Sequence, residues 1–240
     1  MWIGAVLVLA MATVAPGAVE NGEELNVLFI GNSLTFWNDM PEMLRWMLLE
    51  SGIDVGRIEV VAYPSVGLED HWRRGIARER IAEGGWGYVV MQQGPSATEG
   101  RPSLLKYSQR FARLVRKSGG KPALIMVWPA AAREFDFDGV VDAYATAAVK
   151  ADALLIPAGE AWRAAWRRDP ELKLYGKDGF HPSALGSYLA ALVIFDRLTT
   201  VELSSLPARV PTPEGEVPIP AELAALLRAA AEETSSSAKP

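Results

Sequence analysis

Five short apolar runs, each followed by a stretch of helical character, constrain this chain more than any other feature of its sequence. The first, residues 25–30, is continuous and stopped by Gly31, the mark of a short buried strand. Residues 57–63 read as a second strand that alternates at first and is broken by Pro64, and 88–91, 123–128 and 153–156 as three more, the fourth run being closed by Pro129. Helices are predicted over 41–50, 68–82, 103–118, 138–150, 159–168 and 183–198, with Gly119-Gly120 stopping the third. Strands that alternate with helices make a parallel sheet covered on both faces and joined by right-handed crossovers. Half of the residues are apolar, enough for a sizeable core on either side of such a sheet.

The end of the first run is where chemistry is expected. Gly31 permits a sharp turn, Asn32 tolerates unusual backbone angles, and Ser33 follows at the turn. Asn38 or Asp39 is the candidate cap of the next helix, with Pro41 in its first turn. A hydroxyl is thereby set just past the carboxyl end of a strand, where open α/β sheets bind ligands. Serine at such a place also has a plain use, which is to satisfy backbone groups in the turn.

Much can be excluded. A formal net charge of -5 argues against nucleic acid as a partner. With no cysteine there is no disulfide, no thiolate zinc site and no Cys nucleophile. Histidine chemistry must use His71 or His181, the two histidines of the chain. No phosphate-binding Gly-x-x-x-x-Gly-Lys, no Gly-x-Gly-x-x-Gly after a strand, no His-Glu-x-x-His and no Gly-x-Ser-x-Gly occurs.

What remains is Ser33 after the first strand, Gly67 after the second, Gln93 after the third, and Asp178-x-x-His181 before the helix at 183–198. In a parallel sheet these loops emerge on one rim and can converge. A serine is a weak nucleophile at neutral pH and needs a base, which His181 can supply. Asp178, on a tight turn, can reach the other ring nitrogen and hold the tautomer. The backbone amides of Ser33 and Gly67 and the side-chain amide of Gln93 are the candidate donors to a developing oxyanion. Each piece has a structural alternative: His181 as a helix cap or core residue, Asp178 and Gly67 as turn residues, His71 as structural or a pocket wall. Phe36, Trp37 and Trp128 could border an acyl pocket or stack on a sugar ring, and core packing is expected for at least two of them.

Together these blocks resemble the SGNH hydrolases, also called the GDSL esterase family. Gly31-Asn32-Ser33-Leu34 matches the nucleophile block and Asp178-Gly-Phe-His181-Pro182 the Asp-x-x-His block. Gly67 matches the second block, and Met91-Gln92-Gln93-Gly94 stands at the third, where many members carry Gly-x-Asn. Gln93 is one methylene longer than Asn, so Gln92 or a backbone amide could serve as third donor instead. The resemblance spans about residues 25–200 and implies an α/β fold, a three-layer α/β/α sandwich with a parallel, flavodoxin-like five-stranded sheet. It also implies a serine esterase acting through an acyl-enzyme, with Ser33, His181 and Asp178 catalytic and no metal or organic cofactor. Short acyl esters, acetyl groups on carbohydrate among them, are the implied substrates. An acyltransferase of the same family and an inactive binding module with the same fold are the alternatives.

Around the domain expected over 25–203, residues 1–20 resemble a signal peptide or an amino-terminal anchor, so a secreted or periplasmic location is expected. Membrane association is expected only if that segment stays uncleaved. Residues 204–220 read as a Pro-rich surface linker, 221–233 as a final helix, and the last six residues as a disordered tail. The oligomeric state is left open.

Overall fold

A computed structural model describes residues 24–237. The segment expected to be a signal peptide or anchor lies outside these residues. The first strand, β1 (Leu25–Gly31), is buried along almost its whole length, and the chain then turns through a one-turn helix, α1 (Ser33–Phe36). A 3-10 turn, Trp37–Asp39, leads into α2 (Met40–Glu50). Then come β2 (Val55–Ala62), α3 (Leu68–Arg74), α4 (Ile76–Ala82), β3 (Tyr88–Met91) and α5 (Arg101–Lys117). The second half runs β4 (Lys121–Ile125), α6 (Phe137–Ala151), β5 (Leu154–Ile156), α7 (Ala158–Arg168) and α8 (Ala184–Leu198). A hairpin of β6 (Arg209–Thr212) and β7 (Gly215–Pro218) and a last helix, α9 (Ala221–Ser237), complete it.

The five long-range strands form one parallel sheet in the order β2-β1-β3-β4-β5. This is the flavodoxin-like order, and the strand order reverses between β1 and β3. The expected α/β class and five-stranded parallel sheet are therefore present. Helices α3, α4, α5 and α6 pack with one another as one layer, and α2, α7, α8 and α9 as the other. The apolar runs of β1 (Asn26 apart) and β3 follow from burial on both sides of the sheet.

Four expectations are corrected. The helix predicted over 68–82 is two helices, because Gly75 adopts φ 91°, a backbone state that ends α3 and starts α4 in a new direction. Neither Asn38 nor Asp39 caps α2 through its side chain; both take left-handed φ values, 54° and 57°. The linker expected over 204–220 contains the antiparallel β6–β7 pair, which packs against α2 and α8 and buries Val210. Beyond it α9 continues to Ser237, past the expected end of the last helix, because it packs against both α7 and α8.

An aromatic cluster lies under the carboxyl end of the sheet. Trp128, just past β4, stacks on Trp162 of α7 at 3.6 Å and 11°, and Trp166 and Tyr175 meet Trp162 edge-on. Trp128 is therefore a core residue, not a wall of the active-site rim. A Cβ on Gly186 would lie 2.3 Å from the Leu174 carbonyl oxygen and 2.6 Å from Trp162, so α8 approaches as closely as it does only because that residue is glycine. Trp162→Ala removes a fully buried indole that nothing nearby can replace. It is expected to lower the unfolding free energy by about 3–5 kcal/mol in urea titration followed by circular dichroism.

Candidate active site

Ser33 opens α1, so its backbone N–H has no acceptor within the helix. The cap is Asn32, whose Oδ1 accepts from Leu34 N at 3.0 Å while its Nδ2 donates to the Val66 carbonyl at 3.1 Å. One side chain thus starts the nucleophile helix and ties it to the loop after β2. Behind it sits Gln92, whose Oε1 accepts from the Asn32 amide at 2.9 Å and from Thr35 Oγ1 at 3.0 Å. Its Nε2 donates to the Gln93 carbonyl at 2.5 Å. Gln92 continues the β3 register, its N–H bonding Ile30 O, which aims its buried side chain under the nucleophile turn. A Cβ on Gly31 would stand 2.1 Å from Thr35 Oγ1 and 2.7 Å from Gln92 Oε1, so this buried network requires glycine there.

The histidine loop is held from several sides. Trp128 Nε1 donates to Phe180 O at 3.1 Å, Tyr175 Oη to Pro129 O at 2.7 Å, and Ala131 N to Gly179 O at 2.8 Å. Gly179 adopts φ 68°, which closes a tight turn. Asp178 Oδ1 accepts from the Phe180 and His181 amides at 3.0 and 2.9 Å. Its other oxygen lies 2.5 Å from His181 Nδ1, and His181 Nε2 lies 2.9 Å from Ser33 Oγ. A carboxylate only accepts, so the ring proton sits on Nδ1 and Nε2 is free to accept from the serine hydroxyl. The His181 bond together with the two amides holds the Asp178 pKa down at about 2. Exposure grades along the chain, with side chains of His181 and Asp178 at 20% and 50%.

Ser33 and His181 line an open cleft of about 740 Å³ with Gly67, Asp70, Gln93 and Ser96 among its other walls. Two of the expected oxyanion donors are differently employed. Gly67 N donates at 2.9 Å to Asp70 Oδ2, the acid three residues on reaching back to the amide that precedes α3. Gln93 Nε2 gives its two hydrogens to Ser96 Oγ and Gly100 O, both at 2.9 Å, while its Oε1 accepts from Leu68 N at 3.1 Å. Gln93 therefore braces the start of α3 against the loop after β3 and leaves no side-chain hydrogen for a ligand. The nearest atoms to a Cβ on Gly67 would be those of this Gln93 side chain, 3.1–3.4 Å away. Gln92, the alternative donor, points under the nucleophile turn as described. The Tyr144 hydroxyl of α6 donates toward the Gln93 and Gly94 carbonyls and accepts from Gln93 N. No sequence signal marked Tyr144 or Asp70, since the spacing from Gly67 to Asp70 lacks the side chain at its first position that would make it a capping box.

His71 does not face Ser33. Buried on α3 at 1% exposure, its Nε2 donates to Gly31 O at 2.7 Å and clamps α3 to the end of β1. Burial lowers its pKa below the ordinary 6.5. Below that pH the unfolded chain takes up a proton that the folded chain refuses. Stability is therefore full above pH 6.5 and falls as the pH drops from there toward the depressed folded-state value. Urea midpoints are expected to fall between about pH 7.5 and pH 5.5, and to fall less in His71→Gln, whose amide can still donate to Gly31 O.

Neither a protein-family model nor a curated protein matches the sequence. Solved structures do match. A candidate SGNH hydrolase from Slackia heliotrinireducens is 27% identical, with a TM-score of 0.64 over 72% of this chain and 98% of that one. A DUF4886 family protein from Bacteroides uniformis is 20% identical, with a TM-score of 0.72 over 88% of this chain and 94% of that one. An acetyl xylan esterase, AlAXEase, is 16% identical, with a TM-score of 0.57 over 72% of this chain and 98% of that one. The fold is that of the SGNH hydrolases, and the resemblance read from the sequence blocks is matched by resemblance in three dimensions. The 27%-identical neighbour carries the name of a hydrolase, and the more distant ones share the fold.

Proposed function

We propose that the protein is a serine esterase that hydrolyses short acyl esters through an acyl-enzyme. The observation that carries this reading is the unbroken chain from Asp178 through His181 to Ser33, at 2.5 and 2.9 Å. Ser33 Oγ attacks the ester carbonyl while His181 Nε2 takes its proton. The imidazolium then gives that proton to the departing alcohol, leaving an acyl group on Ser33. Water attacks the acyl-enzyme, His181 again accepts a proton, and the acid is released as Oγ recovers its hydrogen.

The oxyanion is received by the Ser33 N–H and by the Gly67 N–H, which gives up Asp70 as the charge develops on oxygen. Gln93 supports this hole by holding the first turn of α3 in place. The cleft walls are mostly polar, with serines, glycines and the charged Glu69, Asp70 and Arg73 and few large apolar side chains, which favours a small acyl group such as acetyl and a polar alcohol such as a carbohydrate. An exported location, with residues 1–20 as signal or anchor, accords with an extracellular carbohydrate ester.

The test is a fluorophosphonate probe applied to the folded protein alongside a series of p-nitrophenyl esters and acetylated sugars. Labelling at Ser33 and rates that fall as the acyl chain grows are expected. A folded protein that neither labels nor hydrolyses any of them would point to a binding module instead.

A further inference from the structure

The 3-10 turn after α1 carries a side chain whose placement the triad alone does not explain. The Trp37 indole lies parallel to the His181 imidazole, with ring centroids 3.9 Å apart and planes 17° from each other. Trp37 is nevertheless 39% exposed and lies outside the buried core, so core packing is not what holds it. The backbone that presents it is costly to build. Asn38 and Asp39 follow it with φ of 54° and 57°, two successive left-handed residues, neither of them glycine. That conformation is fastened to the histidine loop and α8. Asn38 Nδ2 donates to Pro182 O at 3.0 Å and to Ser187 Oγ at 2.9 Å, and Ser187 Oγ donates to Trp37 O at 3.3 Å. Phe180 meets the imidazole edge-on at 5.3 Å.

We propose that Trp37 is a positioning residue for the general base: its indole face fixes the plane of the His181 ring and stabilises the imidazolium formed when Ser33 gives up its proton. The inference rests on the reading of His181 as that base. An aromatic face attracts a cation laid against it, and the attraction is present only while the ring is charged. It therefore acts more strongly in the transition state than in the resting enzyme. The open position of the triad makes such a partner useful, because Asp178 is half exposed and its field is partly screened by water. The indole also covers one face of the imidazole and keeps water from that side. The other charged groups about this ring are Asp178 and Lys177 on its own loop, Asp39 beside Trp37 in the turn, and Glu69, Asp70 and Arg73 across the cleft. All of them are unchanged in the variants below.

The experiment is an NMR titration of the two imidazoles in the full chain, assigned through His71→Gln, for wild type, Trp37→Leu and Trp37→Phe. Leu keeps apolar bulk without a π face, and Phe keeps the face. The His181 midpoint is expected to fall by about half a pH unit in Trp37→Leu and to recover at least in part in Trp37→Phe. The midpoint of His71, which is buried on α3 away from Trp37, stays in place as the internal control. With p-nitrophenyl acetate, kcat of Trp37→Leu falls roughly two- to fivefold with KM little changed, and the acidic limb of the pH profile moves with the NMR midpoint. A His181 midpoint in Trp37→Leu within about 0.1 unit of wild type overturns the proposal, as do equal shifts in the Leu and Phe variants. The titration reads the imidazole directly, so it decides about Trp37 even if the wild-type protein proves to hydrolyse no ester, an outcome that would fall on the esterase reading.

Discussion

Ser33→Ala is expected to abolish hydrolysis of p-nitrophenyl acetate, lowering kcat/KM by at least about a thousandfold, and to end fluorophosphonate labelling. The size follows from geometry. Ser33 Oγ is the hydroxyl that His181 Nε2 reaches, at 2.9 Å, and alanine supplies no atom to carry the acyl group. Residual rate would come from water held by His181 and from binding alone. The substitution should leave the fold intact, because α1 is capped by the Asn32 side chain and the network beneath it runs through Gln92 and Thr35. Unchanged circular dichroism and urea midpoint, within about 0.5 kcal/mol, are the accompanying controls. Activity that survives undiminished in a folded Ser33→Ala protein would refute the nucleophile assignment.

Asp178→Asn is expected to cost about ten-thousandfold in kcat while barely disturbing the loop. The Asn oxygen can still accept from the Phe180 and His181 amides, as Asp178 Oδ1 does now. Its other atom is then an NH₂, which donates to His181 Nδ1 and forces the ring proton onto Nε2. That tautomer cannot accept the Ser33 hydroxyl proton. The native carboxylate works in the ionised form, and its pKa of about 2 keeps it so through the whole neutral range. A depressed carboxylate contributes stability above its unfolded value of 3.8, and that contribution is lost as the pH falls through about 2. Loss of activity between neutrality and pH 4 is therefore not the titration of this carboxylate. A full pH–kcat/KM profile checks the assignment: an acidic limb that follows Asp178 would contradict it.

The strand–helix alternation was legible because parallel strands buried on both faces read as near-continuous apolar runs, as β3 does throughout and β1 from Val27 onward. The ends were less so. Gly75 lay inside a polar helical pattern, where one glycine is ordinarily tolerated, yet its φ of 91° breaks the helix. Residues 209–218 looked like linker because Pro211 and Pro218 read as breakers. Both sit in a two-stranded ladder, where an unpaired edge lets proline stand without the loss of a bond.

At the site, Ser33, Asp178 and His181 could be named because two short blocks carry them, and the structure brings the three within hydrogen-bonding reach. The division of labour between Gln92 and Gln93 could not be read. Adjacent residues at a strand end point to opposite sides, and only the pairing of β1 with β3 says which one lies beneath the nucleophile. The commitment of the Gly67 amide to Asp70 and the stacking of Trp37 on a ring 144 positions later are facts of three dimensions. Tyr144 is likewise one buried residue among many on α6 until its hydroxyl is seen against the Gln93 carbonyl.

The Trp128–Trp162 pair has an optical consequence. Two indoles 3.6 Å apart with planes 11° from parallel couple their electronic transitions. They should add a signed doublet near the red edge of the far-ultraviolet dichroism, separate from the helical bands. Because Trp128 also grips the Phe180 carbonyl, that doublet is a native spectroscopic gauge of whether the segment bearing the imidazole is seated.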